Sequence, residues 1–373
     1  MNFGFTQEQE LLRDQVRRFL DDNCALPDVR RIMQSAQGYE QEHWQQIAGL
    51  GWLGLIISES DGGVGLNWVD LVVVLEEMGR SLYPGPYLST LCFTAALIDI
   101  ADSDTQKALL PRIADGKIKG SLALLDRPGD PHVGNIFLEA NTTGEGVFLS
   151  GCKPFVHDCG SADYFLVAYR QAQDFYLALL DVNDPNLERS HSATMDLTKR
   201  TGKLTFDNLD ISNAPRFKVS EPQINRLFDI GAVGVAAEMI GAAETVLAIT
   251  TTYAQDRIQF GHAIGKYQGV KHRLAEMYVD IESFKSLVYY AAWTITDSAE
   301  ELSRSASLAK AFASDAFAAI GIDAVQLHGA IGFTQEYDIQ LYLKRSKWSR
   351  ASFGNADFHY EKIIEQKQSS QGI

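Results

Sequence analysis

The chain has 373 residues, 46% hydrophobic and 22% charged, with no low-complexity run, which suits two or three folded domains and excludes disorder as the main state. Its 33 basic and 48 acidic residues leave a formal net charge of −15, a field that repels nucleic acid and anionic membrane, so neither is an expected partner. The longest uninterrupted apolar runs, such as Leu71 to Leu75 and Trp52 to Ile57, fall far short of the ~20 residues of a bilayer span. The N-terminal stretch is too polar for a signal peptide, and a cytoplasmic protein is expected. Cys24, Cys92, Cys152 and Cys159 are scattered without a C-x-x-C pair, which argues against a disulfide framework and against a metal site. Cys152 and Cys159 could pair, but two reduced thiols on strands are the preferred reading.

Residues 1–118 read as a helical domain. Thr6 and Gln9 have capping-box spacing, and Leu11, Leu12, Val16, Phe19 and Leu20 follow at helical intervals. A second helix is expected from about Tyr39, with Trp44, Ile47 and Leu50, and a third from about Asn67, with Leu71, Leu75 and Met78. Gly51 and Gly79 stand where helix ends call for glycine, and SESDGGVGL between these helices is a loop. Over 119–221 the texture changes to short β-rich runs, VFLSG, DYFLVAY, FYLALL and KLTFDNL, separated by Gly, Asn and Asp. Helical pattern returns over 222–373, with segments from Ile224 to Asp256, Lys271 through Trp293 and Ser303 to His328. Helical block, β block, helical block, without βαβ alternation or a fixed repeat, makes an α+β chain and argues against a Rossmann or barrel enzyme.

Four motifs then become specific: SESDGGVGL, LLPRIADGKI, DRIQFGHAIGKYQGVKHRLAEM from Asp256, and QLHGAIGFTQEYDIQLYLKR from Gln326. Together, in this order and spacing, they resemble the acyl-CoA dehydrogenase family over essentially the whole chain. The resemblance implies an N-terminal helical domain, a middle β-barrel or sandwich and a C-terminal four-helix bundle. It also implies an FAD flavoprotein that takes an acyl-CoA thioester, passes electrons to an electron-transfer flavoprotein and assembles as a tetramer. Arg257 follows a long helix, where a guanidinium suits bidentate pairing with pyrophosphate. Phe260 offers an apolar face, Gln268 a donor–acceptor pair, and Gln326 with Gly329 an approachable backbone. The family match assigns FAD contacts to these residues and to Gln259 and Ala330. For Arg257 alone, a cation offsetting the helix dipole is the competing reading.

Two other parts depart from the family. Its T-E-P-x-x-G-S-D flavin motif is degraded here to LLDRPGDPHV, with Asp126, Arg127 and Pro128 near the expected place, and its W-I-T/S-N pattern reads PFVHD. Phe155 then replaces the stacking Trp and His157 the hydroxyl residue; a polar strand-end histidine is the plain alternative for His157. Abstraction of the α-proton, as hydride leaves Cβ for the flavin, needs a carboxylate within hydrogen-bond reach of Cα. The family's Y-E-G-T position holds Phe353 in SFGNADFHYE, and the second position used by some relatives holds Gly231. Asp229 and Asp357 are the candidate substitutes. Glu238 lies two helical turns from Gly231, ~10 Å along the axis, and reads as a buried or capped helix acid. His359 and Glu361 lack metal-ligand company and are expected at the surface. Two functions follow: an FAD-dependent dehydrogenase with an unconventional base, or a non-catalytic subunit completing the FAD site of a catalytic sister chain, as in heterotetrameric dehydrogenases of steroid side-chain thioesters. An oxidation of another acidic C–H by Asp229 or Asp357 is a third.

Overall fold

The computed structural model describes residues 5–127, 131–144 and 146–371. Its helices are α1 (Gln7–Asn23), α2 (Leu26–Ile32), α3 (Gln41–Gly49), α4 (Trp68–Arg80), α5 (Tyr87–Ile100), α6 (Ser103–Ala114), α7 (Glu221–Asp256), α8 (Gln268–Asp297), α9 (Leu302–His328), α10 (Ile339–Ala351) and α11 (Ala356–Gln371). Between them lie β1 (Gly120–Ala123), β2 (Ala140–Thr143), β3 (Gly146–His157), β4 (Tyr164–Gln171), β5 (Asp174–Asp181), β6 (Leu187–His191), β7 (Thr201–Asp210), β8 (Arg216–Val219) and the short pair β9 (Ile258–Gln259) and β10 (His262–Ala263). The chain divides into two compact units, one comprising Met1–Arg30, Trp68–Tyr83 and Ala232–Ile373, the other Arg31–Asn67 and Pro84–Gly231.

In the β-rich unit two four-stranded sheets form, in the orders β1-β4-β5-β8 and β2-β3-β7-β6. Only β1 with β4 is parallel among these pairings; the rest are antiparallel. Leu149, Val156, Phe165, Val167, Tyr169, Leu204 and Phe206 share one buried core, so alternate residues of β4 point into it as period-two geometry requires. A Cβ at Gly120 would overlap the Phe93 ring, which shows how closely α5 covers β1. The four cysteines are free thiols; burial pushes Cys159 up to about 12, while Cys152 lies exposed.

In the helical unit α1 begins with the capping box read from its sequence: Thr6 Oγ1 accepts from the Gln9 amide at 3.2 Å, and Gln9 Oε1 accepts from the Thr6 amide at 2.9 Å. Ion pairs Arg13–Glu76 at 2.8 Å and Arg17–Glu77 at 2.6 Å hold α1 on α4. Gly51 is left-handed just past α3, as a C-terminal glycine should be, but Gly79 lies inside α4. A Cβ there would overlap the Glu238 carbonyl, and one at Gly241 the Glu76 carbonyl, so both glycines serve the close crossing of α4 and α7. By length and hydropathy α7 and the α9 segment could each cross a membrane, yet their apolar windows are 72% and 50% buried inside this chain, as core helices are.

Candidate cofactor and substrate site

Arg257 follows the last residue of α7, its amide bonded to Tyr253 O at 2.9 Å and its carbonyl accepting from Ile264 at 2.8 Å. Between these bonds β9 and β10 pair as a two-residue hairpin whose central residues, Phe260 and Gly261, both have positive φ (52° and 81°). That is the signature of a type I′ turn, and it needs left-handed backbone at both positions. Glycine supplies it freely; Phe260 does so under strain, with its ring 92% exposed. The Arg257 guanidinium is exposed, and among the described residues its side chain makes no hydrogen bond or ion pair. Gln259 is exposed beside it, and Tyr267 Oη donates to its carbonyl at 2.9 Å. Gln268, the first residue of α8, lies exposed within 3.4 Å of His272 Nε2.

Gln326 is exposed on the last turn of α9, which Gly329 terminates at φ 65°, ψ −143°. Open space surrounds the position a Cβ would take at Gly329, and Ala330 follows, exposed, in a 3-10 turn. The rings of Tyr253 and His328 stack at 4.3 Å and Tyr253 Oη donates to His328 O at 3.3 Å. This joint brings the Arg257–Gln268 segment and the Gln326–Ala330 segment together on one rim. An unneutralised cation, an exposed aromatic face, carboxamides and an open glycine backbone fit an anionic dinucleotide; the same rim carries exposed Phe333, at 81%, and Ile331.

In the β-rich unit, β3 shifts register between Lys153 and Val156, and Phe155 sits in that bulge at φ 58°, its side chain half exposed. Half-buried His157 ends the strand, Ser121 Oγ donating to its carbonyl at 2.6 Å; burial first, then Lys199, pushes its pKa down to about 4, so it is neutral near pH 7. Asp126 of the degraded motif is engaged structurally: its Oδ2 accepts from buried Lys153 Nζ at 2.9 Å and from the Phe137 amide at 2.7 Å. Pro128 of that motif lies outside the described residues.

Phe353 is half-buried in the turn between α10 and α11, at φ 54°, followed by Gly354 at φ 99°. Gly231 lies within α7. Asp229 is buried in the same helix and partnered; Asp357 is exposed in the first turn of α11. Glu238 is buried against Arg345, Oε2 to Nη1 3.6 Å, which agrees with its reading as a structural acid. His359 overturns the surface expectation: it is 1% exposed, with Nδ1 3.2 Å from Ser307 Oγ and Nε2 3.0 Å from Phe353 O. Glu361 is exposed. Lys310, fully buried on α9, was missed as well; the available signal was a lysine among alanines with Ser307 and Ser314 on the same helical face. Among the described residues no cluster of metal-ligating side chains occurs.

Comparison with known proteins agrees with this architecture. The N-terminal domain family of acyl-CoA dehydrogenases matches residues 6–117 and the C-terminal domain family residues 222–367. Acyl-CoA dehydrogenase IpdE2 of Mycolicibacterium smegmatis is 31% identical over 350 residues, covering 94% of this chain and 95% of the relative. Among solved structures, a variant of the steroid ACAD Tcur3481-Tcur3483 superposes with TM-score 0.90 at 27% identity, covering 98% of this chain and 99% of the other. The ChsE4-ChsE5 complex from Mycobacterium tuberculosis shares the fold at TM-score 0.90 and 24% identity, covering 98% of each chain. With a helical block, paired β sheets and a helical block in this order, and with such similarity along nearly its entire length, the chain belongs to the acyl-CoA dehydrogenase family and is an oxidoreductase of that type or a subunit of one.

Proposed function

We propose that the chain is a component of an FAD-dependent dehydrogenase that oxidises the Cα–Cβ bond of an acyl-CoA thioester, and that its part is to grip the dinucleotide while the usual catalytic carboxylate is absent from it. The observation that carries this reading is the rim: Arg257 with no side-chain hydrogen bond or ion pair among the described residues, Phe260 exposed, and Gly329 with open backbone. Arg257 would hold the pyrophosphate, Phe260 and Gln268 the adenosine side, and Gln326, Gly329 and Ala330 would let the phosphates approach the backbone. FAD, when bound, supplies the hydride acceptor.

Phe353 and Gly231, the residues at the two base positions, cannot take a proton. Of the substitutes, Asp357 lies exposed in the first turn of α11, and Glu238 is committed to Arg345. This favours a tetramer shared with a catalytic sister chain, the names of the steroid ACAD and of the ChsE4-ChsE5 complex pointing the same way, with an electron-transfer flavoprotein as acceptor. Buried Asp229 is the residue a self-sufficient enzyme would have to use. The test is flavin retention by Arg257→Ala in the FAD-loaded protein. A charge-assisted contact is worth about 1.5–3 kcal/mol, so affinity should fall roughly 10- to 150-fold. Unchanged retention would remove the rim from the FAD site.

A further inference from the structure

The turn that carries Phe353 is held from below by side chains with no evident need to be polar. Ser307, Lys310 and Ser314 follow one another at three- and four-residue steps on one face of α9, and each is at most 1% exposed. The ammonium of Lys310 has three hydrogen-bond partners, all neutral: Ser314 Oγ at 3.0 Å, Arg350 O at 3.2 Å and Gly354 O at 2.8 Å. A buried cation with no carboxylate among its hydrogen-bond partners is unfavourable, and burial pushes its pKa down to about 7. His359, on α11, donates from Nε2 to Phe353 O and accepts at Nδ1 from Ser307. Burial, with Lys310 and Lys362 nearby, pushes it down to about 2, so the ring is neutral in that tautomer.

Thus the carbonyls of residues 350, 353 and 354 all end on two buried side chains. The last turn of α10 is held by its C-terminal carbonyl, where a cation suits the helix dipole. On the other side, Asn355 Oδ1 caps α11 by accepting the Phe358 amide at 2.8 Å. Between these pins the backbone is left-handed twice in succession, at Phe353 and Gly354. A Cβ at Gly354 would press on the Phe358 ring and on His359 Nε2, so glycine is required there, whereas phenylalanine is not a residue that adopts this conformation without strain. A connection that merely joined two helices would place Gly or Asn at the first position and would not bury a lysine to hold it.

Resting on the reading that residue 353 faces the acyl thioester, we propose that Lys310 and His359 are positioning residues whose pedestal locks the strained turn, and that Phe353, so held, decides which CoA thioesters enter by the bulk of their acyl group. On that reading the phenyl ring stands where relatives of this family carry a carboxylate. Loosening the pedestal should let the ring yield; deleting the ring should open the space outright.

The experiment is isothermal titration of butyryl-CoA, octanoyl-CoA and cholyl-CoA into the FAD-supplemented chain. It compares wild type, Phe353→Ala, His359→Leu and His359→Gln, with amide exchange of residues 353–357 followed in parallel. Phe353→Ala should raise the affinity for cholyl-CoA relative to butyryl-CoA at least about tenfold, or create thioester binding where wild type shows none. His359→Leu should shift the same ratio in the same direction and raise local exchange about tenfold, while His359→Gln, which keeps a donor for the Phe353 carbonyl, should stay near wild type. If Phe353→Ala binds thioesters with an unchanged ratio, the selective role of Phe353 is overturned while the proposed function stands. If Phe353→Ala shifts the ratio but His359→Leu, still folded, does not, the positioning role is overturned. If neither wild type nor Phe353→Ala binds any of the three, residue 353 does not face the acyl thioester and this inference is overturned, whereas the dinucleotide grip is judged separately by flavin retention in Arg257→Ala.

Discussion

Two parts of the same helical unit handle polar chemistry in opposite ways. On the rim around Arg257, Phe260 and Gly329, the cation and the aromatic ring are exposed, the Arg257 side chain makes no hydrogen bond or ion pair among the described residues, and open space surrounds Gly329. In the turn around Phe353, three carbonyls are turned inward and saturated by Lys310 and His359. Buried polar groups are satisfied by their own chain, whereas exposed cations and aromatics left without partners are available to a ligand. The difference separates groups left open to a ligand from groups engaged in holding the backbone of a turn.

The largest effect is expected where α10 is anchored on α7, away from both regions. Arg345→Met on α10 leaves Glu238 as a buried charge without its partner, and breaking such a pair typically costs about 3–5 kcal/mol. Urea denaturation should show that loss, and a loss below about 1 kcal/mol would mean the α10 anchor is not rigid.

Next comes Lys310→Met, which should cost roughly 2–3 kcal/mol, because two carbonyls and Ser314 lose their donor. Its pH dependence is diagnostic. The ordinary lysine value of 10.5 is held down to about 7 in the folded chain by burial first and Arg350 next, while Asp315, paired with Arg350, opposes it. Between about 7 and 10.5 the unfolded chain therefore binds the extra proton, and wild-type stability should rise with pH across that window. Lys310→Met should lack this rise; parallel curves for the two proteins would show that the amine is charged and contented when buried.

One substitution applied to both regions sharpens the contrast. Gly354→Ala meets Phe358 and His359 as well as a positive φ, and should destabilise by about 2–3 kcal/mol, whereas Gly329→Ala meets only backbone strain and should cost about 1–2 kcal/mol while lowering FAD occupancy. Equal thermal shifts for the two would erase the distinction. The smallest effect belongs to Phe260→Ala, whose exposed ring should leave apo-protein stability within about 0.5 kcal/mol yet weaken FAD retention.

Much of this organisation was legible in residue patterns. The Thr6–Gln9 box, the run of β textures and the three long C-terminal helices all follow from local periodicity, and the rim residues fall within two short motifs. What failed was tertiary. Gly79 looks like a helix end because glycine is the usual terminator, but its use depends on Glu238, 159 positions away in the chain. His359 looks like a surface residue because it shares no helix face with Glu361 and has no metal-ligand company in the sequence; its partners Ser307 and Phe353 come from other elements. The Phe260-Gly261 turn after Arg257 is legible from its glycine, but the short strand pair flanking it was hidden because this I′ turn uses Phe-Gly where Asn-Gly would have announced a hairpin.

The most direct measurement is flavin stoichiometry together with native mass, on the chain alone and on whatever assembly it forms with a catalytic sister chain. The account predicts little or no FAD on the chain alone and one FAD per heterodimer in the assembly. One FAD per chain in a homotetramer, reduced by an acyl-CoA thioester without any partner, would contradict it.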